Sequence, residues 1–151
     1  DQRTRCVIGF WEFVGRVLFA AACGLVIGID REFRDKPLGG QAYVLVALGS
    51  AALMSLTLNF SLSEDASDKT VRVDPTRLIQ GIVGGIGFLG AGAIMTRDES
   101  SRLRGVGSGA AIWGSGAVGI ACGLGYLKEA AFISILVFVI LNIYGFLHHE
   151  D

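Results

Sequence analysis

Proline, cysteine and charge are all scarce in this chain, and each scarcity excludes something. Two prolines in 151 residues leave long stretches with no helix breaker. The three cysteines, Cys6, Cys23 and Cys122, are an odd number without the spacing of a metal site, which argues against a disulfide framework and a zinc centre. Cys23 and Cys122 sit inside apolar runs and read as small packing residues. Charged residues make up 18% of the chain, where a soluble domain carries about a quarter. Lys and Arg number 13 against 14 Asp and Glu, so no surplus of positive field is available to hold nucleic acid. No nucleophile–base pair, metal cluster or phosphate-binding loop stands out, so neither an enzyme, a cofactor nor a bound metal is expected. The glycine-rich run 81–92 has no Lys and Ser/Thr after it and is not a nucleotide loop.

What the chain has is apolar sequence: 52% hydrophobic residues, 22 glycines and a mean hydropathy of +0.56. Its charges are crowded into short stretches, leaving windows long enough to cross a bilayer core of about 30 Å, which takes about 20 apolar helical residues. Residues 42–62, 78–96 and 105–127 carry no charge, and 130–147 is the most hydrophobic run. The window 10–29 is apolar except for Glu12 and Arg16, which lie four apart and can pair on one helix face at the membrane surface. These windows are too long and too uniformly apolar for barrel strands. The expectation is an all-α polytopic membrane protein, a single domain over 1–151 with about five transmembrane helices. The first window lacks a cleavage site and reads as a span, not a signal peptide. With no initiator Met, the true N-terminus is expected to lie upstream.

Connections are short. Asp74-Pro75 is a helix start, Asp as the cap and Pro in the first turn. Lys128-Glu129 leaves room for a tight hairpin, which makes helices four and five antiparallel neighbours. Orientation does not follow from charge, because Arg3, Arg5, Lys69, Arg72, Arg77 and Lys128 on one side balance Arg31, Arg34, Lys36, Arg97, Arg102 and Arg104 on the other.

Glycine is concentrated in helices three and four, and the four-residue spacing of Gly81 with Gly85, Gly105 with Gly109 and Gly119 with Gly123 recurs in helix one as Gly24 with Gly28. Within lipid, such pairs let backbones approach closely. They serve packing inside one subunit, a self-association face, or a broken helix lining an ion path. Helices two to five hold no ionisable group at membrane depth, which argues against a charged relay; their Ser, Thr and Asn side chains can bond backbone carbonyls. Three polar clusters remain: Asp30-Arg31-Glu32 with the following Arg34, Asp35 and Lys36; Asp74 with Arg77; and Arg97 with Asp98, Glu99, Arg102 and Arg104. By alternation the first and third share one side and together offer a charged docking surface. His148 and His149 sit at the end of the chain and read as inert.

The runs Gly28-Ile29-Asp30-Arg31-Glu32, Leu45-Val46-Ala47-Leu48-Gly49-Ser50, Asp74-Pro75-Thr76-Arg77, Gly87-Phe88-Leu89-Gly90-Ala91-Gly92 and Ile112-Trp113 resemble the MgtC/SapB family of bacterial inner-membrane proteins, in order and spacing over nearly the whole chain. The resemblance implies a small helical plasma-membrane protein linked to growth at low magnesium and survival inside host cells. It implies action on other membrane proteins, the F-type ATP synthase among them, and places the first and third loops in the cytoplasm. Gln41-Ala42 stands where the family has an Arg-Thr pair, Gly107-Ser108 where it has paired threonines, and Ser115 where it has a further threonine, which marks a divergent branch. Many members add a C-terminal cytoplasmic domain; after His148-His149-Glu150-Asp151 none is expected here. The leading expectation is a regulator or accessory subunit that binds other membrane proteins and can self-associate. The rival is a magnesium or proton pathway in which a break in helix three or four exposes carbonyls near Asp74, Arg77 and Asp30.

Overall fold

A chain segment in hydrocarbon has to bond its own backbone N–H and C=O groups, and a helix does so within the segment. The computed structural model describes residues 8–33, 39–62, 74–96 and 103–147, and the five apolar windows form five helices. These are α1 (Phe10–Phe33), α2 (Gly40–Leu62), α3 (Pro75–Ala93), α4 (Val106–Leu124) and α5 (Leu127–Leu147). Four contain spans long and apolar enough to cross a bilayer: Phe10–Ile29, Gly40–Leu62, Val106–Leu124 and Leu127–Gly145. Helix α3 is not among them, because Arg77, Gln80 and its glycines dilute its apolar content.

Helix ends differ from the charge-based boundaries for identifiable reasons. Helix α1 runs on through Asp30, Arg31 and Glu32 to Phe33, so the first cluster is its last turn. Helix α3 stops at Ala93, and Met95 and Thr96 instead form β1, paired antiparallel with β2 (Leu103–Arg104). Lys128 and Glu129 belong to the first turn of α5, not to a loop. The turn before them is made by Gly125, left-handed at φ 92, while the Tyr126 N–H donates to the Ala121 carbonyl at 2.9 Å. Glycine, not charge, ends α4.

Many large apolar side chains face outward, Leu18, Leu45, Leu56, Phe132 and Ile135 among them, while the interior combines Ile27, Tyr43, Met54, Ile112 and Val118 with small residues, Ala20, Ala47, Ala51, Ala111 and Ala130, and buried serines. A water-soluble core would be arranged the other way. Here lipid solvates the bulky residues and small ones let the helices meet. Helix α4 is the axis of the bundle, in contact with all four other helices and the most buried of the spans.

Candidate functional site

Three seams hold the bundle. A Cβ on Gly24 would lie 2.8 Å from the Tyr43 carbonyl oxygen, and one on Gly28 would lie 2.7 Å from the Gly40 carbonyl oxygen, so α1 and α2 touch backbone to backbone. Gly119 sits against the Ala47 carbonyl, and a Cβ on Gly123 would lie 2.5 Å from the Met54 Cβ, joining α4 to α2. Gly109 faces Gly90, whose carbonyl oxygen would be 2.8 Å from an added Cβ, and Ile86 fills the notch left by Gly116; these join α3 to α4. Gly105 is no helical packing residue but the left-handed cap before α4, at φ 90, pressed against the Ala93 carbonyl. Gly81 and Gly85 belong to none of these seams: nothing lies within 4 Å of either.

At one end of the bundle, the Arg16 Nη1 donates to the Gly123 carbonyl at 2.7 Å and its Nη2 to the Glu12 carboxylate at 2.5 Å. The Ser55 hydroxyl donates to the same Gly123 carbonyl at 3.2 Å. Arg16 is 14% exposed against 53% for Glu12, so the expected surface pair also places a half-buried cation on the C-terminus of α4, where orphan carbonyls and the helix dipole favour positive charge. Beside it, Asn59 accepts from the Ile8 N–H at 2.7 Å and donates to its carbonyl at 3.1 Å, tying the start of α1 to α2. The Glu12 and Arg16 spacing was readable in the sequence; the carbonyl that Arg16 serves is 107 residues away and was not.

Toward the other end, the Ser115 hydroxyl donates to the Tyr43 carbonyl at 2.6 Å, and the Tyr43 hydroxyl reaches the Ser108 carbonyl at 3.5 Å. Ser55 and Ser115 therefore bond across helices, while Ser134 and Asn142 bond carbonyls of their own helix, Ala131 and Phe138. Cys23 on α1 and Cys122 on α4 are buried free thiols.

Asp30, Arg31 and Glu32 end α1 at the same end of the bundle as Arg104 in β2, since Gly28 meets Gly40 and Gly109 meets Gly90 there. Arg97 lies outside the described residues. Asp74 and Arg77 begin α3 at the end of the bundle opposite Asp30. Asp74 caps α3, accepting from the Thr76 N–H at 2.9 Å and the Thr76 hydroxyl at 2.6 Å; those bonds hold its carboxyl below the usual value of 3.8. Trp113 is 52% exposed on the outer face of α4. Among the described residues no three His, Cys, Asp or Glu side chains gather as a metal site.

The sequence model of the MgtC family matches residues 17–150. The chain belongs to the MgtC family. It is 36% identical to Protein SapB of Bacillus subtilis over 82% of this chain and 52% of that protein. Protein MgtC of Salmonella typhimurium is 34% identical over 84% of this chain and 50% of its own length. YhiD of Escherichia coli K12, named as a proposed magnesium transporter, is 33% identical over 88% of this chain and 60% of its own. The chain thus spans between 50% and 60% of the length of these relatives. No solved structure matches it. With its outward apolar helices, this MgtC family member is a multi-pass protein of the bacterial inner membrane in contact with lipid.

Proposed function

We propose that this MgtC family protein is a regulator or accessory subunit that works by binding other membrane proteins and is not an enzyme. One observation carries the reading: α1, α2 and α4 meet through glycines packed on backbone, and two of the buried hydroxyls between them, Ser115 and Ser55, are used on the carbonyls of Tyr43 and Gly123. Those two hydroxyls, which could replace part of an ion's water, are engaged in holding helices together. Helices α3 and α4 also run unbroken over Pro75–Ala93 and Val106–Leu124, the helices in which the rival reading placed a break. Chemistry for partners lies at the ends, in Asp30, Arg31 and Glu32 on α1 with Arg104 at the same end of the bundle, and outside the described residues in Arg97. The family link extends this reading to low-magnesium growth and intracellular survival, with a large complex such as the F-type ATP synthase as the partner class. The name of YhiD favours the alternative, magnesium transport.

The test is purification of the tagged protein from native membranes in mild detergent. An integral membrane complex that accompanies the parent chain and is lost from an Asp30→Ala, Arg31→Ala, Glu32→Ala variant supports binding. Recovery of the chain alone from both overturns it.

A further inference from the structure

Helix α3 has two unlike sides. Ile86, Gly90 and Ala93 are buried against the bundle, whereas Asp74, Arg77, Gly81, Gly85, Phe88 and Gly92, spaced three or four apart along the other side, are all exposed. Phe88 is 80% exposed and stands between glycines one turn away on either side. Lipid is a poor cover for this face, because the glycines leave polar backbone uncovered by side chains. Arg77 forms no salt bridge among the described residues.

The charges identify the occupant. The face carries an acid and a base one turn apart at the same end, so a two-fold axis along the membrane normal sets Asp74 of each copy beside Arg77 of the other. The same operation brings the Gly81 and Gly85 hollows together and lets each Phe88 fill the space beside the partner's glycines. We infer that the outer face of α3 binds a second copy of this chain, α3 against α3 in parallel. This rests on the reading that the protein works by contact between membrane proteins, and it names one such contact.

Cysteine cross-linking in native membranes tests it. In a chain with Cys6, Cys23 and Cys122 changed to Ser, Gly81→Cys or Gly85→Cys should give on oxidation a covalent species of twice the 16.0 kDa chain mass, and Leu45→Cys on α2 none. Open space around both glycines lets these variants fold. Adding Arg77→Asp should abolish the cross-link, and Arg77→Lys, which keeps the charge and leaves the Asp74 cap intact, should retain it. Equal cross-linking from position 45, adducts of another mass at position 81, or no response to the charge reversal would overturn the inference. If the cross-link is absent while the co-purifying complex persists, self-association alone fails. A cross-link without any such complex leaves the copy contact standing and removes the wider reading.

Discussion

Gly81 with Gly85 and Gly119 with Gly123 are identical as sequence spacings, yet one pair faces open space and the other lies on the α2 backbone. Spacing identifies a surface on which helices can meet; only the partner helix decides whether they do. The difference predicts opposite effects of one methyl group. Gly119→Ala should destabilise the protein by about 1–3 kcal/mol through overpacking. Gly87→Ala, equally in open space but off the proposed copy contact, should leave stability unchanged or raise it by up to about 1 kcal/mol, because alanine is the better helix former. Thermal unfolding in detergent reads both. Arg16 is the corresponding case for charge. Its removal in Arg16→Ala leaves the end of α4 with the Ser55 bond alone at Gly123, and a loss of about 1–3 kcal/mol is expected in the same assay. An Arg16 that contributed nothing would return it to the surface role its sequence context first indicated.

Helices as such were legible from charge-free windows, since in lipid an apolar run of that length has no other way to satisfy its backbone. Their ends were less so. Charge placed the turn between α4 and α5 at Lys128 and Glu129, but the left-handed Gly125 stops α4 first and lets the charged pair begin α5. Gly105→Ala should therefore weaken the α3–α4 connection, through a positive φ costing about 1–2 kcal/mol and a clash with the Ala93 carbonyl. Asp74 was legible as a cap because Asp-Pro at a helix start has one physical reading. Its lowered pKa sets the sign of the pH effect: the ionised cap stabilises α3 above the ordinary value of 3.8 and is lost as pH falls through the lower folded value. Hydrogen exchange at the Thr76 amide should accelerate in that acidic window, and at neutral pH in Asp74→Ala, while Asp74→Asn keeps much of the protection.

Across the whole molecule, the sequence contained the membrane location and the alternation of charged ends, but not the central position of α4, which depends on contacts between residues far apart in the chain. Chain direction places Asp30 and Asp74 at opposite ends of the bundle. The interior between the helices is packed with apolar side chains such as Ile27, Tyr43 and Met54 and with close glycine contacts, and that is why the protein is read as a binder of membrane proteins and not a conduit. The most direct measurement is magnesium and proton flux into liposomes containing the purified protein. Flux no greater than in empty liposomes is the predicted result; flux carried by the parent chain and abolished by Asp30→Ala or Asp74→Ala would contradict the account.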